Sequence, residues 1–172
     1  MFEFNLLVTY LYDFLGTRRE IRRTLSSLGD DSALIRRTLI KGIVGVTTSL
    51  DNHELATNLR ILAAEKPHEF YHTQRWIPVD VWTPSDIPSM KEGVKRVAKI
   101  EKDEHWMMVV EKRRYETHHT ADIIKALAEG IEGLVDLKNP ERILRIDILG
   151  PYAGMSLLKP EEIFSSVRSL SE

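Results

Sequence analysis

The chain has 172 residues, of which 42% are hydrophobic and 29% charged, with a formal net charge of −2 at pH 7 and no cysteine. A chain of this length buries a sufficient core without staples, and the lack of cysteine excludes disulfides, thiolate metal sites and a cysteine nucleophile. The slightly acidic balance excludes a uniformly basic nucleic-acid binder, so any attraction to RNA must come from a local surface. We expect a cytoplasmic protein without a membrane partner, because the N-terminus lacks signal-peptide character and the apolar runs are too short to span a bilayer.

The first half of the chain predicts strands at 3–10, 33–39 and 43–48, with a tight turn at Lys41-Gly42. A further apolar stretch from Phe70 to Trp82 predicts one long strand, or two strands joined at Pro78.

Two helices are predicted between these strands. The first begins near Gly16, with Ile21, Leu25 and Leu28 at helical spacing and Gly29 as its stop. The second begins near Asp51, whose carboxylate is expected to cap it. The order β-α-β-β-α-β is the split βαβ plan of ferredoxin-like folds.

The second half again alternates helix and strand signals. A helix with Pro84 and Pro88 near its start is followed by an interior strand at 106–110, and a helix from Thr120 is predicted to bury Ile124, Leu127, Ile131 and Leu134. Strands at 143–149 and 153–158 precede a short helix opened by Pro160. The fold class is therefore α/β (α+β), with domains at 1–77 and 78–172 packed tightly on each other.

Several motifs in the second half carry a family resemblance. A strand runs into basic residues at 109–114, Val135-Asp136-Leu137 and Asn139-Pro140-Glu141 follow the next helix, and the segment ends in Tyr152-Ala153-Gly154-Met155-Ser156. This pattern resembles a THUMP domain, which usually follows an N-terminal ferredoxin-like domain. The whole chain resembles the stand-alone archaeal THUMP proteins related to the eukaryotic tRNA acetylation adaptor. The resemblance implies tRNA binding on behalf of an RNA cytidine acetyltransferase that forms N4-acetylcytidine.

A first candidate RNA-binding set lies where the interior strand of the second half leads into the next helix: Lys112, Arg113, Arg114, Tyr115, His118 and His119. Cations at a strand end and free amides at a helix start favour a phosphate. The tyrosine is a candidate for stacking on a splayed base. The alternative is that these cations only solvate the strand end.

A second candidate set lies on adjacent turns of the first helix and is interrupted in sequence only by Glu20: Arg18, Arg19, Arg22 and Arg23. The next strand and turn add further cations: Arg36, Arg37 and Lys41. Arginine clusters bind phosphates bidentately, but exposed helices also carry arginine for solubility alone.

We expect no catalytic site, metal or cofactor. No phosphate-binding glycine motif occurs, adjacent histidines such as His118-His119 diverge on a strand, and only a short helix is expected after Leu158, which leaves no room for a catalytic domain. Asp147 is far in sequence from the basic residues at 112–114, so we expect its replacement to affect RNA binding less than replacement of Arg113 and Arg114. The alternative function is a small enzyme or ligand sensor on a ferredoxin-like scaffold, with a pocket between the halves.

Overall fold

The computed structural model describes residues 3–166. They divide into two compact units, one formed by Glu3–Pro78 with the segment that begins at Glu161, and the other by Val79–Pro160. Each unit contains a five-stranded sheet with helices, so the fold is α+β as expected. None of the helices in this part of the chain is both long and apolar enough to cross a bilayer.

The first unit has the ferredoxin-like order predicted from the sequence. Its elements are β1 Leu6–Tyr10, α1 Phe14–Ser27, β2 Leu34–Arg37, β3 Ile43–Thr47, α2 Leu55–Glu65, a 3-10 turn Pro67–Glu69 and β4 Thr73–Pro78. The apolar β1 is central and pairs antiparallel with both β3 and β4, while β2 pairs with β3 at one edge. Alternate residues of these strands face a core shared with both helices: Leu6, Val8, Val44, Val46, Trp76, Ile21, Leu25 and Leu59.

The two helix starts of this unit differ in how they are capped. Asp13 caps α1 by accepting from the Gly16 amide at 2.6 Å. The prediction that Asp51 caps α2 is wrong, because its carboxylate accepts instead from the amides of His53 and Glu54 at 2.9 and 3.2 Å. These bonds form a turn ahead of the helix, which begins at Leu55.

The second unit is built around a mixed sheet. Its elements are β5 Val81–Pro84, α3 Ile87–Val97, β6 His105–Arg113, α4 Thr120–Ala128, β7 Leu134–Val135, β8 Arg142–Leu149 and β9 Tyr152–Leu158. The strand order is β5-β9-β8-β6-β7, in which β6 is parallel to both neighbours and the β8–β9 and β9–β5 pairs are antiparallel. The stretch from Phe70 to Trp82 thus contributes two strands, β4 and β5, to different sheets.

The helix predicted from Thr120 is shorter than its apolar pattern indicates. It ends at Ala128, so Ile131 and Leu134 do not lie on it. Gly130 and Gly133 have φ values of 84° and 101°, which L side chains rarely adopt, and they turn the chain into the edge strand β7. Leu134 is 53% exposed there instead of buried.

The C-terminal segment returns to the first unit. The predicted helix at Pro160 is a single 3-10 turn, Pro160–Glu162, and Phe164–Ser165 then forms β10, which pairs antiparallel with β4. Phe164 is 2% exposed and its ring centroid lies 5.1 Å from that of Phe70. The sequence predicts that the second domain runs from 78 to 172, but the segment that begins at Glu161 belongs to the first unit, because pairing with β4 buries Phe164 in the first core.

We predict that Phe164→Ala lowers the free energy of unfolding by about 3–5 kcal/mol, because a buried aromatic side chain leaves a cavity. Urea titration followed by tryptophan fluorescence measures this change. The exposed Glu161→Ala is the control and should change stability by less than about 0.5 kcal/mol. Equal stability of both variants would contradict the burial of β10.

Candidate nucleic-acid interface

Helix α1 presents its arginines to solvent. Its buried residues are Thr17, Glu20, Ile21, Thr24 and Leu25, and all four arginines at 18, 19, 22 and 23 are exposed. Glu20 interrupts the basic run only in the sequence, because its side chain points inward with 3% exposure. The exposed side of α1 is therefore a continuous basic surface, which we call the α1 basic face.

The α1 basic face is largely without neutralising partners. Among residues 3–166, no hydrogen bond or ion pair engages the side chains of Arg18, Arg19 and Arg22. Arg23 donates to the carbonyl oxygen of Glu69 at 3.1 Å, which leaves its charge uncompensated by a carboxylate.

The predicted cations of β2 and its turn are exposed. The guanidinium of Arg37 lies 4.1 Å from the ring centroid of Phe14, in the first turn of α1. Arg36 lies 3.7 Å from a carboxylate oxygen of Glu3, and Lys41 is exposed in the turn between β2 and β3. The structure thus brings Arg37 to the α1 basic face.

The cations at the end of β6 are more heavily engaged. Lys112 donates from Nζ to the carbonyl oxygen of His118 at 2.9 Å, which closes the loop after the strand. Arg113 places Nη1 3.8 Å from Oδ1 of Asp147. Arg114 is exposed and has a φ of 54°, so the strand ends there in a left-handed conformation.

Asp147, although distant in sequence from these cations, lies beside them in the structure. Parallel pairing of β6 with β8 sets Glu111 opposite Asp147. Arg113 lies two residues further along β6, on the same face of the sheet as Glu111. Asp147 is 2% exposed and accepts from Nε and Nη2 of Arg145 at 2.9 and 3.0 Å. Arg113 therefore shares a buried carboxylate with Arg145, and part of its charge is already balanced.

The remaining residues of the first candidate set surround the start of α4. Tyr115 packs against the second core and donates its hydroxyl to the carbonyl oxygen of Ser85 at 3.0 Å, and burial raises its pKa. His118 is half-buried with its ring 6.4 Å from that of Tyr115. His119 is the exposed N-cap residue of α4 and makes no side-chain capping bond, while Asp122 lies in the first turn. That carboxylate opposes an anion at the helix start.

The acidic residues of the THUMP-like motif form hydrogen bonds that stabilise a loop of this unit. The Asp136 carboxylate accepts from the amides of Lys138 and Asn139, each at 3.0 Å, and from the ring of His105 at 2.8 Å. These bonds lower the pKa of Asp136 to about 2, with the Asn139 amide contributing most, and the same carboxylate raises the pKa of His105. Glu141 accepts from the His105 amide at 3.1 Å. The motif thus shapes the loop between β7 and β8.

Sequence reasoning missed an aromatic pair beside α1. Tyr12 and Tyr71 are 64% and 65% exposed, and their rings stack with centroids 4.9 Å apart. Because the two tyrosines are distant in sequence, no local sequence pattern predicts their contact.

One cleft in the second unit has a ligand-like size of about 430 Å³. It lies between α3 and α4 and is lined by charged side chains of both signs, including Lys91, Lys95, Glu101 and Glu129. Within residues 3–166, no group of three or more His, Asp or Glu side chains is placed to hold a metal ion.

Comparison with solved structures shows the same fold. PH1313 from Pyrococcus horikoshii Ot3 matches 90% of this chain and 54% of its own, with a TM-score of 0.60 and 14% identity. TrmN from Thermus thermophilus matches 88% of this chain and 44% of its own, with a TM-score of 0.55 and 13% identity. A 4-thiouridine synthetase solved with RNA and ATP matches 95% of this chain and 42% of its own, with a TM-score of 0.52 and 11% identity.

These likenesses support a THUMP-like fold. The chain spans about half the length of the solved structures that it matches. No protein-family model matches the chain, and no curated protein matches it in sequence.

We predict that Asp136→Asn lowers the pKa of His105 toward 6.5, because the imidazolium loses its carboxylate partner. An NMR titration of the His105 ring measures the shift. Asp122→Asn removes an exposed carboxylate of α4 that does not contact His105, and should leave that pKa unchanged. An identical His105 titration in wild type and Asp136→Asn would contradict the contact.

Proposed function

We propose that this protein is a cytoplasmic tRNA-binding adaptor without catalysis of its own, which presents tRNA to a modification enzyme. The observation that carries the proposal is the α1 basic face. Three of its arginines lack a partner among the described residues, in a chain whose formal net charge is −2. Cations concentrated on one side of an otherwise acidic molecule select a polyanion and orient it.

The geometry of α1 suits a phosphate backbone. Arg18 and Arg22 are four residues apart, as are Arg19 and Arg23, so each pair lies on neighbouring turns of the helix. Guanidinium groups in such pairs bind phosphate oxygens bidentately, and each bond is charge-assisted. Arg37 extends the surface beyond the helix. Lys112 and Arg114 in the other unit remain a separate candidate set for RNA contact.

The solved structures support a role in tRNA modification. They include TrmN and a 4-thiouridine synthetase captured with RNA, and the similarity reaches across at least 88% of this chain in both. This chain corresponds to less than half of each of those proteins, so it is compared with only one part of them.

The buried acids of the described residues make hydrogen bonds and ion pairs within the fold. Glu20 accepts from the amides of Tyr71, His72 and Thr73, and Asp147 pairs with arginine. Asp30 accepts from the Thr48 hydroxyl at 2.6 Å and from backbone amides. Within the described part of the chain these carboxylates stabilise the fold. The choice of an RNA cytidine acetyltransferase as partner follows from the THUMP resemblance.

A ligand sensor or small enzyme is the second candidate, and the cleft between α3 and α4 is the observation that favours it. A thermal-shift screen with small metabolites distinguishes the two candidates. A ligand-dependent rise in melting temperature, together with no gel shift on total tRNA, would favour the second.

We predict that the protein alone, given tRNA, ATP and acetyl-CoA, forms no N4-acetylcytidine, and that adding the cognate acetyltransferase yields modified tRNA. Removing three cations by Arg18→Ala, Arg19→Ala and Arg22→Ala should lower the yield at limiting protein by about tenfold or more, because each phosphate contact contributes on the order of 1 kcal/mol. Nucleoside mass spectrometry measures the product. Lys95→Ala, Arg96→Ala and Lys99→Ala removes the same charge from exposed positions at the end of α3 and just beyond it, and serves as the control.

Product from the protein alone would show that it is an enzyme. An acetyltransferase that modifies tRNA equally well without the protein would contradict the adaptor role.

A further inference from the structure

The two exposed tyrosines of the first unit form one continuous aromatic surface. Tyr12 and Tyr71 stack with ring planes 14° apart, and the neighbouring Leu11 and Leu15 are 46% and 56% exposed. Single exposed apolar residues are ordinary, but a contiguous exposed patch marks an interaction site.

The tyrosines are held rigidly by their surroundings. The buried carboxylate of Glu20 accepts from the amides of Tyr71 and His72 at 2.8 and 2.9 Å, and from Thr73 at 2.7 Å. Tyr12 has a φ of 71°, an uncommon left-handed conformation for a bulky residue that the surrounding structure must maintain. The ring of His72 meets both tyrosine rings edge-on, at interplanar angles of 87° and 85°.

His72 occupies its place because α1 carries a glycine there. A side chain at Gly16 would collide with the His72 ring, so the glycine permits the close approach. Asp13 accepts from both the Gly16 amide and the His72 ring, the latter at 3.3 Å. Asp13 is thus engaged in capping α1 and in orienting the histidine.

The aromatic surface borders the α1 basic face. Arg19 precedes Glu20, whose carboxylate holds the Tyr71 backbone, and Arg19 lies one helical turn from Gly16. Arg23 donates to the carbonyl oxygen of Glu69, two residues before Tyr71. Cations therefore flank the segment that carries Tyr71, and the combination is complementary to a chain of phosphates with exposed bases.

We infer that the Tyr12–Tyr71 pair is a stacking platform for an unpaired nucleobase of the bound RNA, and that Arg19 and Arg23 hold the adjoining phosphates. This inference rests on the proposed RNA binding and assigns its single-stranded contact. A rigid aromatic surface stacks on any base, because every base has a π face, and neighbouring arginines follow the backbone. A duplex offers no free base face along its length, so the platform distinguishes unpaired from paired RNA.

The test compares an RNA hairpin that has a single-stranded overhang with the same hairpin cut blunt, both closed by a compact tetraloop whose bases stack on one another, so that the overhang supplies the accessible unpaired bases. For the double variant Tyr12→Leu and Tyr71→Leu, affinity for the overhang hairpin should fall roughly fivefold or more, as expected for one lost stacking contact. Affinity for the blunt hairpin should stay within about twofold. The double variant Tyr12→Phe and Tyr71→Phe keeps both rings and should retain binding to both RNAs.

A measurement on the unaltered protein accompanies the variants. Irradiation of a complex whose overhang carries 5-iodouridine should cross-link Tyr12 or Tyr71, identified by peptide mass spectrometry. Cross-links confined to other residues, or equal overhang affinity in wild type and the leucine variant, would overturn the platform while leaving RNA binding intact. Failure of the wild type to bind either hairpin or tRNA would overturn the proposed function as well. If the leucine variant binds RNA normally but loses acetyltransferase-dependent modification, the pair contacts a protein and the inference is wrong.

Discussion

The buried carboxylate of Glu20 is the contact on which the candidate interface depends. Its two oxygens accept three consecutive backbone amides, from Tyr71 to Thr73, at 2.7–2.9 Å. A carboxylate with 3% exposure would be costly to bury without such partners, so α1 is bound to the segment entering β4 in one orientation. That orientation turns the arginines of α1 outward and holds Tyr71 beside Tyr12. The hydrogen bonds of Glu20 therefore stabilise the first unit and also position the residues of the candidate interface.

The two basic sets that the sequence indicates differ once their surroundings are known. On α1 the acid between the arginines points into the core, and the cations remain open to solvent. At the end of β6, Arg113 shares Asp147 with Arg145, and Lys112 closes its own loop. A cation that already has a partner must lose some of that interaction before it binds phosphate. The α1 basic face is accordingly the stronger candidate, although both sets are basic runs in the sequence.

Local patterns predict the parts of this structure that local physics decides. The ferredoxin-like order, the end of α1 shortly before Gly29 and the interior position of β6 follow from apolar spacing and glycine. Features set by long-range pairing are not visible there. Phe164 pairs with β4 although the whole second unit lies between them in the sequence. Parallel pairing of β6 with β8 brings Asp147 close to Arg113, and Tyr12 stacks on Tyr71, which is distant in sequence. The helix predicted from Thr120 is too long for a related reason: the apolar period continues past Gly130, where the backbone turns.

The most direct test of the account is the salt dependence of tRNA affinity. Each phosphate neutralised by a cation adds about 0.7–0.9 to the slope of log affinity against log salt. We expect a steep slope for the wild type, and a slope shallower by about 2 when Arg18, Arg19 and Arg22 are changed to alanine. The matched loss of Lys95, Arg96 and Lys99 should leave the slope unchanged. A flat wild-type response, or equal slopes for the two triple variants, would contradict the claim that α1 carries the RNA contact.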